Sequence, residues 1–154
     1  MRREARDDAV KLHVEPATQA VLAERGAWRY DPPYDFYDDD GKPVKNPERF
    51  LVVRDETEAF VGFFYFEERG DAIFYGLGLR PDLTGRGLGL EFVQAGVELA
   101  RKRFGSRRII LDVAEFNVRA TKVYERVGFR ITGRHLRRFD RRGDVPFVDM
   151  ELTR

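Results

Sequence analysis

The apolar positions of this chain change their spacing from one segment to the next, and each spacing predicts a different element. Seven segments have the composition or the alternation of strands: 10–15, 50–54, 59–66, 72–79, 107–113, 129–134 and 145–152. The segment 59–66 is apolar on both faces, which indicates a central strand covered on both sides. In 107–113 the side chains alternate, so Asp112 lies on the face opposite Leu111. A hairpin turn is predicted at 67–71, and the last two strands are predicted to form a closing hairpin.

Helical spacing or helix-forming composition predicts three helices, over 17–25, from about 89 to 104, and over 118–127. Pro16 suits the first turn of the first helix, and Gly26 is its expected C-cap. The second helix, which Gly105 ends, carries a stripe of apolar and small residues: Leu88, Phe92, Ala95, Gly96 and Leu99. The small members of this stripe predict close packing on the sheet. Asn117 is the expected N-cap of the third helix, which ends at Gly128.

A glycine-rich loop opens the second helix and is a candidate anion site. Gly85, Gly87 and Gly89 alternate after an apolar strand, at the point where a helix presents unpaired N–H groups and the positive end of its dipole. Neither the P-loop nor the dinucleotide fingerprint fits, because Gly89 is followed by Leu90 and Glu91 and the third glycine comes one residue too soon. The alternative is a glycine-rich turn without a ligand.

The segment from Trp28 to Pro43 combines aromatic and acidic residues and contains three prolines. The prolines and aspartates predict little regular structure there. Its aromatic residues are Trp28, Tyr30, Tyr34, Phe36 and Tyr37. Aromatic side chains provide contact area and carboxylates hold cations, so one interpretation is a substrate-binding surface. The other is a solvated loop whose aromatic residues pack on the sheet.

The length, charge and cysteine content of the chain exclude several classes of function. The 154 residues fit one domain, 1–154, and the net charge of +1 gives no reason to expect nucleic acid or an anionic membrane as a partner. The absence of cysteine excludes disulfides and thiol nucleophiles, and no metal-ligand spacing is visible. His13 and His135 stand alone and are interpreted as structural or surface residues. The basic run at 137–142 is interpreted as a solvated turn, the alternative being contact with nucleic acid or with a phosphate group of a bound ligand.

Neither a signal peptide nor a transmembrane segment is visible, so the expected location is the cytoplasm and no membrane partner is expected.

Two motifs resemble those of the GNAT superfamily of acetyl-CoA-dependent N-acyltransferases. The pattern (Arg/Gln)-x-x-Gly-x-(Gly/Ala) maps onto Thr84-Gly85-Arg86-Gly87-Leu88-Gly89, with Thr84 replacing the usual Arg or Gln. The pattern Asn-x-x-Ala-x-x-x-Tyr-x-x-x-Gly-Phe maps onto Asn117, Ala120, Tyr124, Gly128 and Phe129 at every fixed position. The resemblance covers most of the chain, most strongly 75–129. It implies an α/β (α+β) fold: a mixed, mostly antiparallel, twisted sheet with helices on both faces and a splayed central strand pair.

The resemblance also implies roles for individual residues. The glycine loop, including Thr84 and Leu88, would hold the pyrophosphate of acetyl-CoA, and Arg86 would add a cation. The backbone of Leu77, Gly78 and Leu79 and the side chain of Asn117 would contact the pantetheine, and an N–H near Leu79 would stabilise the oxyanion. Tyr124 would protonate the thiolate, although its helical stripe also allows a purely core role. Asp112 stands where N-terminal acetyltransferases carry a glutamate base; the alternative is an ordered water, and Glu67 and Glu115 are weaker candidates.

These inferences predict acetyl transfer from acetyl-CoA to a primary amine of a small molecule or peptide. Without a cysteine nucleophile, the amine is expected to attack in a ternary complex. Tyr34, Asp35, Phe36 and Tyr37 are the predicted acceptor-binding residues, and the clustered carboxylates, including Asp38 and Asp39, suggest a cationic acceptor. The rival hypothesis is a non-catalytic acyl-CoA sensor. A homodimer is possible, and no nucleic acid partner is expected.

Overall fold

The structure is a computed structural model that describes residues 11–39 and 41–153. Its strands are β1 (His13–Pro16), β2 (Phe50–Arg54), β3 (Phe60–Arg69), β4 (Ala72–Leu79), β5 (Arg108–Ala114), β6 (Arg130–Phe139) and β7 (Gly143–Leu152). Its α-helices are α1 (Gln19–Leu22), α2 (Gly89–Phe104) and α3 (Val118–Val127). Short 3₁₀ turns lie at Ala23–Ala27, Tyr34–Tyr37, Pro47–Arg49 and Pro81–Leu83.

In the described part of the chain the strands form one seven-stranded sheet in the order β1-β2-β3-β4-β5-β7-β6. All neighbouring pairs are antiparallel except β4 and β5, which are parallel. The predicted mixed, mostly antiparallel sheet of an α+β fold is therefore confirmed. None of the helices in the described residues is both long and apolar enough to cross a membrane.

The core lies between one face of the sheet and helices α2 and α3. Phe92 of α2 packs on Phe64 of β3 with their ring centroids 4.7 Å apart. At Gly96 the helix approaches the sheet so closely that a Cβ atom would collide with the hydroxyl of Tyr75. The close packing that the small residues predicted is confirmed at this position.

The buried face of α2 differs from the predicted stripe by a rotation of about one residue. Its fully buried residues are Phe92, Val93, Gly96, Val97 and Ala100. Ala95 and Leu99, which were predicted to lie on the buried face, are only partly buried against the core. The stripe was wrong in this respect because several apolar faces fit this helix, and only the position of the sheet selects one.

The opposite face of the sheet is covered by much less helix. α1 has only four residues, and the following turn brings Arg25 over the rings of Phe50 and Phe63, 5.9 and 5.2 Å from their centroids. The side chain of Thr18 accepts a hydrogen bond from Val21 N and begins α1 there. Helices therefore lie on both faces, as predicted, but unequally.

Several predicted boundaries were wrong. Pro16 is the last residue of β1, not the first turn of α1, and Gly26 lies inside a 3₁₀ turn rather than at a helix C-cap. Residue 10 of the predicted first strand lies outside the described residues. β3 extends to Arg69, which shortens the predicted turn, and the run at 137–142 is partly strand because β6 continues to Phe139. Backbone pairing continues through these polar segments because their side chains can point into solvent.

Candidate active site

The site begins where the parallel strands β4 and β5 separate. In the described residues they pair only at Ala72, Ile73 and Phe74 of β4. Beyond this point β4 stays paired with β3 as far as Leu79, and β5 stays paired with β7. The predicted splayed strand pair is confirmed, and it leaves a gap between the ends of β4 and β5.

The backbone of Leu79 faces this gap. Its carbonyl accepts a 2.7 Å hydrogen bond from the hydroxyl of Tyr30, whereas the next amide, Arg80 N–H, donates to Val61 of β3 at 2.8 Å. Successive residues of a strand direct their backbone groups to opposite sides. Leu77 and Leu79 therefore present N–H and C=O groups to the gap, while Gly78 faces β3.

Gly78 has a packing role on β4. A Cβ atom there would collide with the ring of Phe63 on the adjacent strand. Gly62, opposite Leu79, is equally restricted, because a Cβ would lie 2.5 Å from a ring atom of Phe92. The end of β4 thus requires glycine for reasons of space, in addition to any contact with a ligand.

The glycine loop joins β4 to α2. Gly85 and Gly87 have φ values of +72° and +82°, a region that other residues rarely adopt. α2 begins at Gly89, and Leu88 at the N-cap position makes no side-chain cap. The first N–H groups of α2 therefore have no capping side chain, which suits an anion.

The polar side chains of this loop are directed to the loop itself. The hydroxyl of Thr84 donates to the carbonyl of Pro81 at 2.7 Å, and the guanidinium of Arg86 donates to the carbonyl of Asp82 at 3.1 Å. In this conformation Thr84 and Arg86 stabilise the turn.

A different cation lies over the glycines. The guanidinium of Arg119, in the first turn of α3, would lie 3.1 Å from a Cβ placed on Gly85. It also stacks on Tyr34, 4.4 Å from the ring centroid. Sequence reasoning missed Arg119, although the predicted N-cap at Asn117 placed it at a helix start. It becomes visible as a candidate only when α3 is packed beside the loop.

Asn117 caps α3 and is hydrogen-bonded at both ends of its amide. Its Oδ1 accepts from Ala120 N–H and its Nδ2 donates to the hydroxyl of Tyr37, both at 3.1 Å. The predicted N-cap is confirmed. Asn117 lies just after β5, so its side chain borders the far side of the gap.

Tyr124 lies on the predicted stripe of α3 and packs against the core beside Phe129, with ring centroids 5.9 Å apart. Burial raises the pKa of Tyr124 well above its usual value, and the nearby Tyr37 and Asp112 raise this pKa further. The phenol is therefore protonated at neutral pH, the form that can donate a proton.

Asp112 lies between Leu111 and Val113, whose side chains are in the core, so its own side chain points to the opposite face of β5, where it is 15% exposed. Burial raises the pKa of Asp112, and Arg137 and His135 oppose that rise. The distances from the carboxylate are 3.6 Å to Arg137 and 3.5 Å to His135. A carboxylate with a raised pKa is a stronger base than an ordinary aspartate.

His135 is not isolated, so its interpretation as a lone residue was wrong. Its Nδ1 lies 3.1 Å from Asp149, and its Nε2 faces Asp112. The donor atoms of these three residues lie within 4.8 Å of one another. Since the cation Arg137 also pairs with Asp112, we interpret them as a cluster of ion pairs. The registers of β5, β6 and β7 bring them together, which spacing along the chain cannot reveal.

The segment 28–39, here called the strap, runs from the end of β4 towards the β6–β7 hairpin. Phe36 packs on Phe139 and Phe116 with ring centroids 4.9 and 5.5 Å apart, and Tyr37 also contacts Phe116. The strap aromatics therefore pack on the protein, which supports the packing interpretation. A cleft of about 720 Å³ between strap and glycine loop is lined by residues that include Trp28, Tyr30, Tyr34, Arg80, Thr84 and Arg119, so a binding role stays open.

The strap carboxylates have partners within the protein. Asp35 lies 3.6 Å from Arg142, and Asp39 lies 3.4 Å from Arg25. Asp38 accepts a hydrogen bond from the N–H of Tyr30 at 2.9 Å. The clustered charges that suggested a cationic acceptor are thus partly neutralised by partners within the protein, and the cationic acceptor stays a prediction.

A mixed sheet whose parallel strands splay beside a glycine loop at a helix N-terminus is the architecture of an acyl-CoA-dependent acyltransferase. The chain belongs to the acetyltransferase (GNAT) family, whose model matches residues 8–129. Enzymes of this family use acetyl-CoA as co-substrate.

Among curated proteins, the chain is similar to several mycothiol acetyltransferases. It is 36% identical to that of Propionibacterium freudenreichii subsp. shermanii over 93 residues, which cover 56% of this chain and 29% of the relative. It is 30% identical to that of Salinispora tropica over 140 residues, covering 87% and 45%. The chain thus spans less than half the length of these relatives.

Among solved structures, a chimera of the spermidine N-acetyltransferase SpeG from Vibrio cholerae and hSSAT has a TM-score of 0.75 at 18% identity, covering 92% of this chain and 95% of that chain. An acetyltransferase of the GNAT family from Bacillus anthracis has a TM-score of 0.68 at 16% identity, covering 94% and 96%. At these identities the likeness shows the fold.

Proposed function

We propose that this chain transfers the acetyl group of acetyl-CoA to a primary amine of a small molecule or peptide, by direct attack in a ternary complex. The observation that carries the proposal is the gap between the splayed strands β4 and β5, next to the glycine loop that opens α2. Tyr124, whose phenol is protonated, and Asp112, a shielded carboxylate, are the proposed proton donor and proton acceptor. A proton donor and a proton acceptor are what amide formation from a thioester requires.

The same gap offers binding groups for the co-substrate. The amides of Gly85, Gly87 and Gly89, with Arg119 above them, suit the pyrophosphate. The backbone groups of Leu77 and Leu79, together with Asn117, suit the pantetheine amides. Because Tyr30 and Tyr37 hydrogen-bond to Leu79 and Asn117, the strap has to exchange these bonds when acetyl-CoA enters.

The proposed chemistry contains two proton transfers, one from the attacking amine and one to the departing thiolate. Asp112 accepts the proton that the amine loses, directly or through one water. The N–H of Leu79, which faces the gap, stabilises the negative oxygen of the tetrahedral intermediate. Tyr124 then donates its proton to the departing thiolate. No cysteine is present to form an acyl-thioester with the protein, which supports direct attack.

The test is a screen of amine acceptors, monitored by thiol release from acetyl-CoA. Because the relatives are named for mycothiol and spermidine, the panel should include spermidine, cysteine methyl ester, an aminoglycoside and short peptides with a free N-terminus. Tyr124→Phe is expected to reduce kcat about 100-fold without weakening CoA binding. The matched control is Tyr65→Phe, since this hydroxyl bonds Arg49 and Glu67 on the α1-covered face of the sheet.

Two outcomes oppose the proposal in different ways. Full turnover by Tyr124→Phe removes this residue from the mechanism. Tight binding of acetyl-CoA without turnover of any amine favours the alternative, a non-catalytic acyl-CoA sensor, which has no need of a thiolate acid.

A further inference from the structure

The side chains of Asp149, His135 and Asp112 lie next to one another across three strands, with a hydrogen bond between His135 and Asp149. The Nδ1 of His135 lies 3.1 Å from Asp149, and its Nε2 lies 3.5 Å from Asp112. The side chain of His135 is 38% exposed, whereas that of Asp112 is 15% exposed. The imidazole therefore connects a shielded carboxylate with solvent.

Strand register holds these side chains in place. Asp112 of β5 lies directly opposite Asp149 of β7, and His135 of β6 lies opposite Phe147 of β7. The imidazole packs on the ring of Phe147, with centroids 5.9 Å apart. Neighbouring ladders and an aromatic contact thus orient both ring nitrogens, each towards one carboxylate.

Groups from several elements act on the carboxylate of Asp112. Arg137 and His135 of β6 and Arg69 of β3 lower its pKa, whereas burial and Asp149 of β7 raise it. On the inner side, Tyr37 of the strap and Tyr124 of α3 experience its charge. Of these two β6 side chains, the imidazole can both accept and release a proton, whereas arginine stays protonated.

We infer that His135 is a positioning residue for acyl transfer: held by Asp149, it carries to solvent the proton that Asp112 takes from the acceptor amine. The inference rests on the proposed function. In the transfer, the N–H bond of the amine breaks and an O–H bond forms on Asp112. The proton then moves to Nε2 of a neutral imidazole whose Nδ1–H is bonded to Asp149, and the imidazolium releases a proton to water. Asp112 is thereby ready for the next turnover. The tautomer is assigned from the hydrogen-bond partners.

The chain has two histidines, which provides a matched control. His13 lies on β1 and faces Glu58 at 3.7 Å, at the opposite edge of the sheet from β6. We would compare His135→Gln with His13→Gln, using the best acceptor of the panel above. Glutamine keeps a hydrogen-bonding amide but cannot carry the proton.

The expected result for His135→Gln is a kcat about tenfold lower, with the KM for acetyl-CoA unchanged. The acidic limb of its pH–rate profile should move to higher pH, because a group that lowers the pKa of Asp112 is lost. Added imidazole should restore activity to His135→Ala. His13→Gln should match the parent protein in all three measurements.

A kcat for His135→Gln within twofold of the parent, or a pH profile that does not move, overturns the inference. If His135→Gln fails to fold, Asp149→Asn replaces it, with a lower kcat expected and an unchanged kcat contradicting the inference. The variant Asp112→Asn distinguishes a failure of this inference from a failure of Asp112 as the proposed base. Loss of turnover in Asp112→Asn with full turnover in His135→Gln rejects only the role of His135 in carrying the proton. Full turnover in both variants rejects Asp112 as the base.

Discussion

The hydroxyl of Tyr30 donates a 2.7 Å hydrogen bond to the carbonyl of Leu79, at the end of β4 that faces the gap. Burial, followed by the charge of Asp38, raises the pKa of Tyr30 to about 12, so the hydroxyl stays a donor at neutral pH. At the other side of the gap, Tyr37 accepts a hydrogen bond from Asn117. The strap is thus tied to both borders of the gap, at groups that are proposed to bind the pantetheine.

Removing the hydrogen bond between Tyr30 and Leu79 should strengthen the binding of acetyl-CoA. Tyr30→Phe is expected to lower the free energy of unfolding by about 1 kcal/mol, the usual contribution of one hydrogen bond. Because the Leu79 carbonyl is then free for the ligand, acetyl-CoA should bind about two- to fivefold more tightly. Denaturant unfolding and isothermal titration calorimetry measure the two effects. Weaker binding would mean that Tyr30 itself contacts the ligand.

Arg119 is predicted to bind the pyrophosphate. Arg119→Gln should weaken CoA binding about tenfold, as expected for the loss of a charge-assisted hydrogen bond. The parent's affinity should also depend more steeply on salt than that of the variant. Arg126→Gln, an exposed arginine on the same helix, is the control. Equal losses in both variants would indicate a general charge effect and reject the specific contact.

The ionised carboxylate of Asp112 is expected to lower the stability of the folded protein and to be required for turnover. Its pKa is raised in the folded protein, so the folded state is penalised when the carboxylate is ionised. Asp112→Asn should therefore raise the melting temperature at pH 7, and the gain should shrink as the pH falls through the raised pKa towards the ordinary range of aspartate. Turnover should fall at the same time. A lower melting temperature at pH 7 would show that the ion pairs of Asp112 outweigh its burial.

Gly96 should tolerate a side chain poorly, because both the hydroxyl and the ring edge of Tyr75 occupy the space of a Cβ atom. A Cβ there would collide with that hydroxyl, which donates to the carbonyl of Val93 at 3.0 Å. Gly96→Ala is expected to cost about 2 kcal/mol of stability through overpacking. In the double variant with Tyr75→Phe the cost should be less than the sum of the single costs. Gly26→Ala is the control, since a Cβ at Gly26 meets no atom within 4 Å.

The sequence was sufficient where local rules decide the structure. The glycines at 85, 87 and 89 predicted a turn into a helix, and Asn117 and Gly128 predicted both ends of α3, because caps and positive φ values depend on a few adjacent residues. Alternation placed Asp112 opposite the core face of β5 for the same reason. The resemblance to the GNAT superfamily then correctly implied the splayed strand pair and the family.

Only the tertiary structure decided which distant side chains meet. His135 joins Asp112 and Asp149 through two ladder registers, and Arg119 reaches Gly85 through the packing of α3 beside the loop. The sequence gives no sign that the strap aspartates are paired, yet Arg25 and Arg142 form ion pairs with two of them. Such contacts depend on pairing and packing between segments far apart in sequence, and no local pattern encodes them.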